Sequence, residues 1–580
     1  MKGDMVGSGA IVKATPSKAK TTTKTKAKPK PKLGLRTWME RVLLECDRAA
    51  AGLDLDPVHD LRVALRRCRS LADGLMAIDP DSSWKAMKKA GRKLFQALGE
   101  LRDMQVMEEW IEKLGGTKPT SDRASLDFSA RSLSLNGLSS DRLSSDNLSS
   151  DSLSSGDLSL RDPVVVKLLD YLHGREAECK QRAFKDLNQF DRKQWRQWSR
   201  TLPQRASRVR PGSVVYLHLA LEKWTAAYEL HKHALRTRSQ VSWHELRIGI
   251  KRFRYTVENF LPRQHALWGD DLKELQDLLG EVHDLDVLWA TAVSPEVSAF
   301  PDVESRTRWR ALLNAERTKR IERYRKKMVG KDSLWRLWRA ELPAGPQLRS
   351  AAMSRLRTWA GYVDPDFAHS QRVAQLALLL YDGLKDAGLL AHEPVALNGA
   401  SNRGPNVARS DRERDPRAVL QASALMHDVG KAKGAENHQK SSYRMIRGLA
   451  RPLGWSAREL ELAAVVARYH RGALPHPRGK TLQALELADR PIAIELAGVL
   501  RLANALDVGH GNIGRENSAR LEVRLQDRSV VVRAEGYSAL DRSAEGIAAA
   551  RHLLETVLRR PLLVRALRSS VGNSNFVVRP

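Results

Sequence analysis

Cysteine, aromatic side chains and long apolar runs are scarce in this 580-residue chain, and acidic residues are outnumbered. Its three cysteines, Cys46, Cys68 and Cys179, lack metal-type spacing, which argues against a disulfide framework or a cysteine zinc site. No uninterrupted apolar run reaches the roughly 18 residues that a membrane helix needs. No secretory hydrophobic region precedes the first charged segments, so the expected setting is soluble, reducing and cytoplasmic. Against 68 acidic residues stand 98 basic ones, a net charge of +30. Such an excess points to an acidic partner rather than to a fold. On charge alone, nucleic acid, inorganic polyphosphate and an anionic membrane surface all qualify.

What is present begins with lysine. Nine lie in the first 32 residues, opposed only by Asp4 and without a single Arg. Residues 1–34 have almost nothing to bury and are expected to form a disordered basic arm, a candidate contact for nucleic acid.

Beyond the arm, Val58–Ser70 (VHDLRVALRRCRS) recurs as Trp243–Tyr255 (WHELRIGIKRFRY). Each copy sets a His, then basic residues three, seven and ten positions on: His59, Arg62, Arg66, Arg69 and His244, Arg247, Lys251, Arg254. At about 100° per residue these fall within a stripe about 80° wide, and apolar residues occupy the opposite face. Solubility needs no fixed register, so matched stripes in two copies point to a polyanion surface. The repeat continues in Ala97–Val106 (ALGELRDMQV) and Leu278–Val287 (LLGEVHDLDV). Two helical units of one design are therefore expected to pack as pseudo-symmetric halves with their basic faces on one groove. Arginine forks suit phosphate oxygens better than lysine does.

These motifs resemble the CHAD family, the conserved histidine α-helical domain, over roughly residues 35–342. The resemblance implies two four-helix units whose basic groove binds inorganic polyphosphate. It also implies His59, Arg62, Arg66, Arg69, His244, Arg247, Lys251 and Arg254 as ligands, with Arg67 and Arg252 on the flank. Between the halves, residues 115–161 carry LSSDR-LSSDN-LSSDS-LSSGD, whose five-residue step builds no helical face. A disordered linker is expected there, with a fragment of pentapeptide β-solenoid as the alternative.

After Pro343, Gly345 and Pro346 a second helical region, residues 350–565, carries His369, His427-Asp428-Val-Gly-Lys431, His438, His470 and Asp507. Imidazole with carboxylate suits a divalent transition ion, or Mg²⁺ where carboxylate and water dominate. A bound ion would polarise a phosphoryl group and activate water. This spacing looks like the HD superfamily of metal-dependent phosphohydrolases. More narrowly, HSQRVAQLALLLYDGL, ALMHDVGKAKGAENHQKSSYRMIRGL and LELAAVVARYHRGALP are similar to the C-terminal helical domain of the exopolyphosphatase/guanosine pentaphosphate phosphohydrolase family. That resemblance implies His369, His427, Asp428 and Asp507 as metal ligands (Mg, Mn or similar), with His438 and His470 in a second shell or at a second metal. Lys431, Lys440, Arg468 and Arg471 become candidate phosphate contacts, and Asp428, Lys431 and Arg471 the catalytic set. The Gly-rich phosphate loops of that family's actin-like domain do not occur in this sequence, so hydrolysis would fall to the His-Asp site.

The expected fold is mainly α, ending in a β-hairpin around Gln526-Asp527-Arg528, a helix over Ser543–Leu558 and a tail over 566–580. Residues 392–416 read as a disordered loop. Trp195, Trp198, Trp335 and Trp338 are expected to pack, and His218, His231 and His233 carry no assignment. The leading reading is a polyphosphate-binding protein with a metal-dependent phosphohydrolase module. A polyphosphate-granule-associated binding protein without catalysis is the alternative, and a nucleic-acid binder the third. Against the third, the stripes lack interleaved aromatics for base stacking.

Overall fold

The computed structural model describes residues 34–114, 162–390, 415–508, 520–535, 537–538 and 543–567. The basic arm (except Gly34), the serine-rich insert, the 392–416 loop up to residue 414 and the tail beyond residue 567 lie outside them. The described residues are mainly α-helical.

Eleven helices form the first part: Leu35–Ala51 (α1), Leu55–Leu75 (α2), Ser82–Ala90 (α3), Arg92–Leu114 (α4), Pro163–Asn188 (α5), Arg192–Ala206 (α6), Val214–Thr237 (α7), Gln240–Phe260 (α8), Pro262–Ala292 (α9), Val303–Met328 (α10) and Leu334–Ala340 (α11). The order repeats. α1–α2 correspond to α7–α8, the α3–α4 pair broken at Gly91 to the unbroken α9, α5 to α10, and α6 to α11. The last correspondence is written in tryptophan: Trp195-Arg-Gln-Trp198 in α6 and Trp335-Arg-Leu-Trp338 in α11. Trp195, Trp335 and Trp338 are fully buried, and Trp335 meets Trp338 edge to face at 5.5 Å. Such pairs add to simple area burial, which explains why packing uses these rings. One apolar core joins both units.

The second part comprises Gly345–Val363 (α12), Phe367–Asp386 (α13), Pro416–Met426 (α14), His438–Arg447 (α15), Ala457–Arg468 (α16), Lys480–Gln483 (α17), Arg490–Val508 (α18) and Ser543–Leu558 (α19) around its own core. The expected hairpin forms from Leu521–Gln526 (β1) and Ser529–Ala534 (β2), paired antiparallel and turned at Asp527 with φ 51°. A third strand, Leu562–Ala566 (β3), adds in parallel to β2 after α19.

The two parts touch through α7 and α12. His218, fully buried, bonds through Nε2 to Leu453 O at 2.9 Å. Arg355 pairs with Glu222 and also reaches Ala77 O. Tyr362 donates to Arg205 O at 2.7 Å, and Arg205 forks onto Asp79.

Candidate functional site

Residues about a third of the chain apart in sequence come together at α2 and α8. Arg66 lies over the Tyr255 ring, Arg67 pairs with Glu258 at 2.5 Å, and Asn259 donates to Ser70 Oγ at 2.9 Å. Each partner pair advances in the same direction, so the helices run parallel. At their C-terminal ends Gly74 leaves room for Phe260, whose ring a Cβ there would meet at 2.3 Å. One turn back from the Arg66–Tyr255 contact, Arg62 faces Lys251. The two basic ridges thus lie side by side, staggered by one turn.

Their charges crowd. Burial, then Arg66, Arg247 and Arg62, pushes the Lys251 ammonium down to about 7. Burial also lowers His59, with Arg66 and Arg102 adding to the effect, and lowers His244, with Arg247 adding. His244 Nδ1 approaches His283 Nδ1 at 3.2 Å, and burial pushes His283 down to about 4. Two carboxylates from the repeated LGE-x-x-D segments share the groove. Asp103 interacts with Arg62, Arg247 and Lys251, while burial raises Asp284 to about 6. The remaining stripe residues stand apart. Arg67, expected on the flank, pairs with Glu258 and packs over Trp38. Arg69 donates to Lys88 O and lies over Phe95. Arg254 is half-buried near Glu258, and Arg252 is exposed.

The second cluster is built on four helix ends and one helix face. Asp415 caps α14, whose first residue is Pro416, and the helix delivers His427-Asp428 at its C-terminus. A tight 3₁₀ turn, Val429–Lys433, then brings Gly430 against α15. A Cβ on Gly430 would lie 2.1 Å from His438 O and 2.6 Å from Ser442 N. Ser442 Oγ donates to His427 O at 2.6 Å and accepts from Gly430 N at 2.9 Å, which locks the crossing.

Around Asp428 stand Lys431 Nζ at 2.5 Å, His438 Nε2 at 3.0 Å, His427 Nε2 at 3.3 Å, and His369 Nε2 and His470 Nε2 each at 3.6 Å. The burial of Asp428 is outweighed by His427, Lys431 and His470, which hold its carboxyl well below the usual range. Three imidazoles have their orientation set by backbone: Nδ1 of His427, His438 and His470 meets Ala424 O, Ala435 O and Ala467 O at 2.7–2.8 Å. A carbonyl only accepts, so each Nδ1 carries a proton and each ring turns its Nε2 inward. His438 Nε2 and His470 Nε2 face each other at 3.2 Å. Burial lowers His470 far below its ordinary value. His427 Nε2 and Asp428 Oδ1 are buried without a hydrogen bond of good geometry. Among the described residues two groups have metal-ligand spacing, His369–His427–Asp428 and Asp428–His438–His470, and Asp428 belongs to both. Imidazole nitrogens and a carboxylate converging in this way fit a divalent cation.

Asp507, expected as a further ligand, lies behind His369 with partners of its own. Arg372 grips both its oxygens at 2.9 and 3.0 Å, and His369 Nδ1 lies 2.6 Å from it. Thus occupied, it orients His369 from behind. Asn504 Oδ1 approaches His369 Nε2 at 3.0 Å. Sequence reasoning missed Arg372 and Asn504. Arg372 follows His369 by three residues, on the same helix face, which is the one available signal. Arg471, like Lys440, is exposed, and Arg468 is half-buried over Tyr469. Missed too was Arg501, which donates to Tyr469 O and Gly472 O and so fixes the turn bearing His470 and Arg471.

Paired basic helices on a duplicated bundle, joined to a helical module with a buried His/Asp cluster, define a mainly α protein of two modules. Residues 35–293 match the model of the CHAD domain, and residues 349–539 match that of the Ppx/GppA phosphatase, domain III. The chain is therefore a fusion of a CHAD domain with a Ppx/GppA domain III, a combination that supports a polyphosphate-related function. No curated protein matches it. Among the described residues no helix is long and apolar enough to cross a membrane.

Proposed function

We propose that the α2–α8 groove holds inorganic polyphosphate and that the His/Asp cluster is a metal-dependent phosphohydrolase centre acting on polyphosphate or a related phosphoester or phosphoanhydride. The observation that carries this reading is the sharing of Asp428 between two histidine groups whose Nε2 atoms face inward. His369, His427 and Asp428 would hold one divalent ion, and Asp428, His438 and His470 a second. Such ions supply Lewis-acid charge to a phosphoryl oxygen and acidify water. Lys431 and Arg471 would meet the charge that develops on the phosphoryl oxygens. In the groove, Arg62, Arg66, Arg247 and Lys251 would form the centre of the polyphosphate contact, flanked by His59 and His244. The boundaries near residue 343, with a basic arm before residue 35, belong to the same proposal.

The test is metal analysis of the purified chain together with phosphate release from polyphosphate. The expected result is bound divalent metal, and release that falls at least a hundredfold in Asp428→Ala. Full activity in that variant removes the catalytic reading. A second reading is a granule-associated binding protein, in which the basic residues of α2 and α8 hold polyphosphate without catalysis elsewhere. Tight polyphosphate binding by a metal-free, inactive protein would select it.

A further inference from the structure

The repeat is unequal where α6 answers to α11. α11 stops at Ala340, just past Trp338, whereas α6 runs two further turns beyond Trp198, to Ala206. Trp338 is fully buried among Phe253, Trp268 and Trp335. Trp198 is half-buried and meets Trp195 edge to face at 6.3 Å. Beside it, α6 and the start of α3 bound an open cleft of about 570 Å³, the size of a small-molecule site.

One wall of the cleft is a row of uncharged polar ends. Gln194, Gln197, Thr201 and Gln204 keep offsets of three, seven and ten residues, about 15 Å along one face of α6. Arg192, Arg196 and Arg200 fall on the other side of the helix. In a chain of net charge +30, that sorting is unlike a merely solvated face. Gln194 Nε2 donates to Gln197 Oε1 at 3.2 Å, and Thr201 Oγ1 donates to Gln197 O at 3.3 Å. The Gln197 amide hydrogens, the Gln194 carbonyl and the Thr201 lone pairs are left for a ligand. The cations of the cleft are already engaged. Arg205 forks onto Asp79 and reaches Asp81 Oδ2 at 3.3 Å, and Arg208 lies over the Tyr362 ring at 5.4 Å. An anion entering here would also meet the Asp81 carboxylate.

We propose that this cleft binds a neutral oligosaccharide, its hydroxyls bridging the row of amides and its C–H face lying against Trp198. A sugar hydroxyl both donates and accepts, as a glutamine amide does, so an uncharged row matches it without a counterion. The indole supplies an apolar body, which suits a ring that is apolar on its face and polar at its rim. The length of the row suits a short chain of sugars better than a single ring. Nothing in this site depends on the polyphosphate reading.

The full chain is mixed with maltotriose, cellotriose, xylotriose or chitotriose, and saturation-transfer NMR reads the contact. At least one trisaccharide is expected to give a transfer signal, with an affinity of about millimolar or tighter. Trp198→Ala should weaken it about tenfold, and Gln197→Ala, at an exposed position that leaves the core intact, about threefold. Saturating tripolyphosphate, or Arg62→Gln with Arg247→Gln, should leave the signal unchanged. No transfer from any of the four sugars, a signal undiminished in Gln197→Ala, or displacement by tripolyphosphate would overturn the proposal.

Discussion

Raising the pH from 6 to 8 should weaken polyphosphate binding by the groove, and Lys251 sets the size of the effect. In the free protein its ammonium loses a proton near pH 7, because burial and then Arg66, Arg247 and Arg62 oppose the charge while Asp103 only partly compensates. A bound polyanion reverses that balance and restores the proton, so binding takes up protons and strengthens as pH falls. Lys251 is about nine-tenths charged at pH 6 and about one-tenth charged at pH 8. If the bound form stays charged throughout, the affinity ratio from this residue is about tenfold, or about 1.4 kcal/mol. His59, His244 and His283 are lowered too, by burial first, and add protons only toward the acid end. The assay is calorimetric titration with a defined polyphosphate at pH 6, 7 and 8, at constant ionic strength, in two buffers of different ionisation enthalpy. Lys251→Arg keeps its charge and should flatten the dependence between pH 7 and 8 while preserving affinity at pH 6. A pH-independent affinity in the unaltered protein, or an unchanged slope in Lys251→Arg, refutes the reasoning.

Other expectations follow from single contacts. Arg62→Gln combined with Arg247→Gln should weaken polyphosphate binding tenfold or more and reduce the slope of log affinity against log salt by about 2. Gly430→Ala forces a methyl onto His438 O and Ser442 N, and should cost about 2–3 kcal/mol by thermal or urea denaturation and lower metal content. Trp335→Ala opens a cavity among Trp224, Tyr228 and Trp338, with an expected loss of about 3–5 kcal/mol. Asp507→Asn would leave the Arg372 guanidinium with a weaker partner and release His369. Metal affinity should fall at least tenfold while the helical circular-dichroism signal is retained.

Much of this was legible because the chemistry imposes period and order. His59 with its arginines and His244 with its partners keep one helical register, and that register is visible in a string of letters. The four histidines meeting at Asp428 were readable as ligand types, since few other patterns set His-Asp between isolated histidines. Pairing across space was not readable. That Asp507 answers to Arg372 depends on how α18 lies against α13, and no local spacing states this. Glu258 silences Arg67 for the same reason, although both lie on faces that look free in isolation. β3 follows a helix as five residues with no alternation long enough to announce a strand, and only β2 gives it a partner. The spacing of Trp195–Trp198 and Trp335–Trp338 suits packing, but their place as corresponding members of the repeat needs the equivalence of α6 and α11.

The join between α7 and α12 bears on any attempt to divide the molecule. Severing the chain near residue 343 would strip Glu222 and His218 of Arg355 and the Leu453 carbonyl, and would bare the greasy faces of Leu348 and Tyr362. Either half made alone should then be prone to clumping, whereas the intact polypeptide should melt in one step.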